Sequence, residues 1–511
     1  MVNSEHLWRT RPTPIVEITS EETCDIVVIG AGISGCAAAE SASAEGASVV
    51  CVEKFGTFTA HGIDVGAVGT RVQKENGIEI NKALAARLIH EWGQQQANYF
   101  LIRTYTERSG EVLDYYIELA EKAGLRVYIN DEMTARVDWD KLDDKYKQFQ
   151  TAHVFELTDN CTLKPRKWNV GYLIETIFEA AKKNGAQFRF NTTAERLITE
   201  NGAVTGVIIR DGEGYHKINT RRGVITATGG ISDNDEMIRC FWPAALRSDL
   251  RENFPVGGNM GDGIMLGIWA GAAMSRCNPA PIIHPVNFTT LAPGMNTSWL
   301  TVNRDGRRFS SEVAWEPIIT NARLNAPGNV AYAVWDSDYK EHIKKQEPHK
   351  ALSMFDGIDE KMEEEVAQGN YLRAETLVQL AKVLSVPVDA LQRTVDRYNN
   401  WCDVGEDDDF AVPPRFLNSV RKAPFYATKI SAFLLNLPHG LHVDQNSQVL
   451  TEDDTPIEGL YAVGNAQGDF FANSYPVTLP GTSHGRSLTF GHLVGKALAK
   501  GVKINGYDVI D

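Results

Sequence analysis

Cys24-Asp25-Ile26-Val27-Val28-Ile29-Gly30-Ala31-Gly32-Ile33-Ser34-Gly35 is the stretch that decides the fold. Its first half is a short β-branched run, the pattern of a strand buried on both faces of a parallel sheet. The glycines then turn the chain into a helix of small residues, Cys36 to Glu45, which Gly46 ends. Ala47 to Val52 makes a second strand and closes on Glu53, completing a β-α-β unit.

Each glycine has its own task. Gly30 makes the tight turn, Gly32 lets a pyrophosphate approach the backbone, and Gly35 packs helix on strand. The helix N-terminus offers free N–H groups and a positive dipole end to phosphates. Glu53, roughly twenty residues on, is placed to accept from ribose hydroxyls, and it repels the 2′-phosphate of NADP. This unit is a Rossmann-type dinucleotide site and leaves NAD and FAD both open. Two later features favour FAD, whose extended length needs both ends of the sheet. They are Ala227-Thr228-Gly229-Gly230 after the strand Gly223 to Ala227, and Leu460-Tyr461-Ala462-Val463-Gly464-Asn465 near the C-terminus.

Outward from these motifs, 511 residues fit two or three domains. A net charge of -15 argues against a nucleic-acid surface, which needs clustered Lys and Arg. Seven scattered cysteines with no CxxC pair and no zinc-type His spacing read as reduced thiols, and no metal site is expected. Met1 to Thr23 is a polar leader without an apolar signal core, and no stretch is apolar enough to span a bilayer. A cytoplasmic, soluble protein is expected.

Asn81 to Ala123 and Tyr172 to Lys183 have helical spacing, and Ala194 to Glu200 and Ala203 to Arg210 read as strands turning at Asn201-Gly202. Beyond about Ile282 the character changes. A hairpin signal appears at Val302 to Gly306, and a helical stretch runs from Met362 to Tyr398. The sheet pattern returns near Leu434 and ends in a helix from Ser483 to Lys500. The expected architecture is α/β. A leader (1–23) precedes a glutathione-reductase-like FAD domain (24–281 and 434–511), interrupted by an α+β capping domain (282–433).

These residues resemble the fumarate reductase/succinate dehydrogenase flavoprotein superfamily, which includes 3-ketosteroid dehydrogenases and urocanate reductase. The pieces that carry the likeness are Gly30 to Gly35, Ala227 to Gly230, Gly261-Asp262-Gly263, His284-Pro285, Val302 to Phe309 and Gly459 to Gly491. The resemblance implies an inserted domain that caps the flavin, with substrate between cap and isoalloxazine. It implies cofactor contacts from Gly30, Ala31, Gly32, Ile33, Ser34 and Gly35, then Glu53 and Lys54, then Ala60, His61 and Gly62. Ala194, Ala227, Thr228, Gly229, Asp262, Gly464, Asn465, Ser483 and His484 complete the set. His484 acts through its backbone at the flavin pyrimidine edge, and Arg486 is a structural or surface helix residue. His61 lies near the place where succinate dehydrogenases attach FAD covalently, but the following Gly66-Ala67-Val68-Gly69 differs from theirs, so noncovalent FAD is expected.

The departures redirect the chemistry. Where fumarate reductases carry a proton-donating arginine, this chain has Met295, and their second substrate arginine is replaced in Ala472-Asn473-Ser474-Tyr475-Pro476. A dicarboxylate needs guanidinium forks or similar donors. The Tyr-Pro pair followed by Gly481 is similar to the ketosteroid dehydrogenase arrangement. By that resemblance Tyr475 O–H and Gly481 N–H polarise a substrate carbonyl. His284, as a side chain that titrates near neutrality, either binds substrate or relays a proton, or packs at the hinge of the cap. Two preorganised donors would stabilise enolate charge as hydride moves between flavin N5 and an enone. The expected activity is an FAD-dependent ene-reductase or dehydrogenase acting on a carbon-carbon bond activated by a carbonyl, in a small enone or ketosteroid-like substrate. An arylacrylate (urocanate- or cinnamate-type) reductase is the alternative within this chemistry, and a flavin electron-transfer or redox-sensing component the alternative outside it. With no haem, iron-sulfur or second dinucleotide motif, an external donor such as reduced flavin or ferredoxin is implied.

Overall fold

The computed structural model describes residues 7–130, 148–251, 255–285, 298–346 and 357–504. Ser20–Ile29 is the central strand of an eight-stranded sheet, and Ile26, Val27 and Val28 are completely buried in it. It runs parallel to Val49–Val52 on one side and to Gly214–Thr226 on the other. Pro456–Ala462 extends the parallel set beyond Gly214–Thr226, and Gln187–Arg189 extends it beyond Val49–Val52. A strand with neighbours on both edges and helices over its faces must be apolar along its whole length, hence the β-branched run.

Gly214–Thr226 is longer than the sequence pattern indicates. Its second half lies in the parallel core, while its first half pairs antiparallel with Ala203–Asp211, which pairs in turn with Thr193–Glu200. The polar alternation of this first half hid it. Gly223 marks the switch with a φ of +144°, and a side chain there would lie 2.8 Å from the Gly459 carbonyl.

The opening helix, Ile33–Ala44, packs against the closing helix, Thr482–Lys500. A Cβ on Gly491 or Gly495 would come within 2.3 Å of the carbonyl oxygens of Ser34 and Ala38 respectively. The small-residue composition of both helices therefore permits backbone-to-backbone contact, which draws the two N-termini to the same end of the sheet.

A second unit has its own antiparallel sheet, in the order Leu300–Asn303, Ala331–Trp335, Phe425–Lys429, Leu372–Ala374. One apolar cluster is built around Leu380, Leu391 and Trp401 and a second around Trp335, Tyr339 and Met362. The helical stretch expected over Met362 to Tyr398 is three helices, Ile358–Ala367, Leu377–Leu384 and Val388–Val404, broken by the strand Leu372–Ala374. Gly369, with a φ of +77°, ends the first of them. At the hairpin, the Asn303 side chain accepts from Asp305 N–H and Arg307 N–H. Arg308 then enters the interior to bind Glu312 and Asp407. Both chain crossings between the units share one small sheet, in which Phe433–Asn436 pairs with Ile282–His284 and with Leu250–Arg251.

The leader is partly structured. Trp8 is only 4% exposed and packs against Phe241, and the central strand begins at Ser20 rather than Cys24. Among the described residues no helix is long and apolar enough to cross a membrane, and all seven cysteines are free.

Candidate active site

At the carboxyl ends of the parallel strands lies a cavity of about 320 Å3. The end of the central strand and the start of the opening helix form its floor through Gly30, Gly32, Ile33 and Ser34. Gly30 has a φ of +103°, and a Cβ there would sit 2.6 Å from the Ala227 carbonyl. A Cβ on Gly35 would sit 1.9 Å from the Gly30 carbonyl. Protein packing alone thus demands these two glycines. Gly32 differs, because a Cβ there would meet only Thr59 Oγ1 at an ordinary 3.6 Å. Its bareness leaves room for something that is not protein, as a pyrophosphate lying on the helix N-terminus requires.

Glu53 is 5% exposed and uses both oxygens on the loop: Oε2 accepts from Ala31 N–H at 2.8 Å and Oε1 from Phe55 N–H at 3.0 Å. Burial raises its pKa above the ordinary carboxylate value, against those hydrogen bonds. Each oxygen keeps a lone pair for a ribose hydroxyl. Lys54 bridges to Asp262 at 2.5 Å and to the Gly257 carbonyl at 2.6 Å, tying the second strand to the helix Asp262–Trp269.

Of the cofactor residues expected from the sequence, Ala31, Gly35 and Gly62 stand behind the cavity wall and the remainder line it. Ala31 turns its N–H to Glu53, Gly35 lies against Gly30, and Gly62 lies under the His484 ring, which a Cβ would approach to 2.4 Å. His484 contributes its ring as well as its backbone. Its Nδ1 donates to the Asp64 carbonyl at 2.9 Å, which leaves Nε2 as an acceptor. Burial pulls its pKa to about 3, helped by His61, whose ring centroid is 5.4 Å away.

The three residues expected to do chemistry lie outside the cavity lining. Tyr475 and Gly481 meet at the start of the closing helix. Gly481 is its N-cap with a φ of +75°, and Tyr475 Oη accepts from Ser483 N–H at 2.9 Å. Burial pushes the Tyr475 phenol well above its usual range, so it remains protonated. His284 ends the crossing strand opposite Phe433. Met295 lies outside the described residues. Arg486 is 1% exposed and so is not a surface residue.

Several lining residues were not anticipated. Gly258 and Asn259 belong to the glycine-rich loop that precedes the helix Asp262–Trp269. Asn259 Oδ1 accepts from Gly230 N–H at 3.1 Å and so fixes the turn after the strand. Arg196 and Trp269 form another part of the wall, the guanidinium carbon 5.2 Å from the ring centroid. Asn436 arrives from the crossing strand.

The chain is similar over more than nine-tenths of its length to known oxidoreductases. Vinyl phenol reductase of Lactiplantibacillus plantarum is 26% identical, the match covering 94% of this chain and 98% of that protein. The 3-oxosteroid 1-dehydrogenase of Mycolicibacterium smegmatis is also 26% identical, over 93% of this chain and 97% of that one. A solved 3-ketosteroid-delta4-(5alpha)-dehydrogenase from Rhodococcus jostii shares the fold, with a TM-score of 0.72 at 21% identity over 95% of this chain and 98% of that one. The model of the FAD binding domain family matches residues 25–477, which takes in the glycine loop, the second unit and Tyr475. With that match and a cavity whose one unexplained bare glycine faces the helix N-terminus, the chain belongs to the FAD binding domain family.

Proposed function

We propose that this chain is an FAD-dependent oxidoreductase of carbon-carbon bonds whose substrate is an alkene conjugated to a carbonyl, an enone or ketosteroid-like compound. Bound FAD supplies hydride donation or acceptance. The observation that carries the substrate reading is the hydroxyl of Tyr475. It is buried and protonated, and it accepts from Ser483 N–H at 2.9 Å. A hydroxyl that already accepts a hydrogen bond is a better donor of its own proton. No other described residue takes that proton in a hydrogen bond, so it is free for the oxygen on which negative charge grows. Gly481 N–H is the second donor, His284 binds substrate or relays the proton, and residues 282–433 cap the site against water.

Arg196, which lines the cavity, and Arg486, bonded to the lining residues Gly464 and Asn465, support an uncharged substrate. Arg196 donates to the Glu195 carbonyl and stands over Trp269, while Arg486 donates to Gly464, Asn465 and Gln467. Neither presents a free fork to a dicarboxylate. A second reading, an aryl-conjugated alkene of the arylacrylate or vinyl phenol kind, is favoured by the match of 94% of this chain to a vinyl phenol reductase. Electrons come from an external carrier such as reduced flavin or ferredoxin. The free cysteines suit a cytoplasmic protein.

The test is anaerobic. Enzyme with reduced FAD is mixed with androstadienedione, cyclohexenone, cinnamate, vinyl phenol or fumarate, and the return of oxidised-flavin absorbance is followed near about 450 nm. Enones are expected to reoxidise the flavin fastest, and Tyr475→Phe to slow that step by about 100-fold or more with FAD affinity retained. Fastest reoxidation by fumarate, or an unchanged rate in Tyr475→Phe, overturns the reading. Fastest reoxidation by cinnamate or vinyl phenol selects the second.

A further inference from the structure

The closing helix carries a buried cation for which the proposed chemistry has no use. Arg486 lies eleven residues beyond Tyr475, in the second turn of that helix, and is 1% exposed. Nη1 donates to the Gly464 carbonyl at 2.9 Å and to Gln467 Oε1 at 3.2 Å, and Nη2 donates to Asn465 Oδ1 at 2.5 Å. The rings of Phe471 and Phe470 lie 4.9 and 5.4 Å from its guanidinium carbon. Every one of these partners is neutral. Among the described residues no carboxylate pairs with Arg486, and its Nε has no hydrogen-bond partner. Burial without a counter-charge lowers its pKa to about 9.

A cation held in a protein interior without an anion is costly, and a methionine of similar length would fill the space at lower cost. The position of the charge gives it a use. Gly464 and Asn465, its acceptors, line the cofactor cavity, as do Ser483 and Ser487 on the same face of the closing helix. The positive end of that helix's dipole is directed at the same wall. Two sources of positive potential thus converge on one part of a cavity otherwise lined by neutral groups there.

We propose that Arg486 is a positioning residue for the redox chemistry: its uncompensated charge, set behind Gly464 and Asn465, raises the reduction potential of bound FAD. This rests on the reading that the isoalloxazine lies against Asn465 and the closing helix. Reduction delivers a hydride, two electrons and one proton, to the ring system, from the external donor or from the C–H bond of a substrate being oxidised. The ring system gains one negative charge. Arg486 takes neither proton nor electron; it favours the charged product over the neutral reactant through the low-dielectric wall.

The most direct test leaves Arg486 in place and supplies the missing anion. Gln467 is 2% exposed, lies outside the cavity lining, and already accepts from Arg486. In FAD-loaded protein, Gln467→Glu is expected to lower the reduced-to-oxidised flavin ratio at fixed potential by about tenfold, or about 30 mV for a two-electron couple. Arg486→Gln, which removes the charge and keeps a hydrogen-bond donor, is expected to do the same, and Arg486→Lys to stay close to wild type. Affinity for oxidised FAD, followed by quenching of flavin fluorescence, is expected to change much less than affinity for reduced FAD. Potentials unchanged in Gln467→Glu overturn the proposal even where the Arg486 variants do not fold, and a shift equal in Arg486→Lys and Arg486→Gln assigns Arg486 a packing role and also overturns it. Wild-type protein that binds no FAD defeats the reading of the site itself, and this proposal with it.

Discussion

Gly32 and Gly35 stand three residues apart in one loop, and their surroundings separate a glycine that protein packing leaves open from one that it demands. A methyl group on Gly35 collides with the Gly30 carbonyl, whereas on Gly32 its nearest neighbour is Thr59 Oγ1 at 3.6 Å. Gly32→Ala is therefore expected to keep the wild-type circular dichroism and melting temperature and to lose FAD affinity by at least about tenfold, or about 1.4 kcal/mol. Gly35→Ala is expected to fail as a folded protein. Equal FAD affinity in Gly32→Ala, by titration of the apoprotein, would show that nothing approaches that backbone. At this scale the glycine loop and Glu53 were legible in the sequence, because the spacing of one local turn specifies both. The carboxylate's hydrogen bonds to Ala31 and Phe55 were not, since they depend on how the second strand meets the loop.

Among the elements, the N-terminal segment changes most between pattern and structure. Its polar composition reads as a loose leader, yet the Trp8 side chain is buried and the Trp8 carbonyl accepts from Trp269 Nε1–H at 3.0 Å. Farther along, the Thr13 carbonyl accepts from Arg196 Nη2 at 3.4 Å. Trp269 and Arg196 both line the cofactor cavity, so the segment braces part of its wall from outside. Trp8→Ala is expected to cost about 3 kcal/mol of stability in urea unfolding. It should also weaken FAD binding, measured on the protein that remains folded; wild-type affinity would show that the brace does not reach the cavity. One buried tryptophan in a polar stretch has no periodicity to announce it. Likewise, the strand Leu372–Ala374 is too short to interrupt a helical pattern by composition, and its pairing with Phe425–Lys429 decides it.

For the molecule as a whole, four histidines held below their ordinary pKa contribute to the acid limb of stability. Burial holds His153 and His439 down to about 4, and His484 and His492 down to about 3, all below the ordinary 6.5. A base depressed in the folded state contributes stability that is present above pH 6.5 and lost as pH falls through its folded value. Asp64 acts in the opposite sense: burial raises it to about 6, so its contribution is complete below 3.8 and lost as pH rises through 6. Comparison with a variant isolates one group. His153 is fully buried, donating from Nδ1 to the Thr151 carbonyl and accepting at Nε2 from Thr70, both at 2.8 Å. His153→Gln is expected to be less stable than wild type at pH 7, with the gap narrowing by about 3 kcal/mol by pH 4. A gap that is constant with pH in urea titrations would mean that His153 does not stay neutral. The sequence by itself determined the dinucleotide loop, the parallel sheet and the interrupted domain, because each is written in a contiguous run whose spacing reflects the local backbone. Only the tertiary structure decided that Arg196, Trp269, Asn259 and Asn436 share one wall, that Tyr475 meets Ser483, and that Arg486 is buried without an anion. Those are contacts between residues distant in the chain, and burial and charge pairing have no meaning until the chain has closed around them.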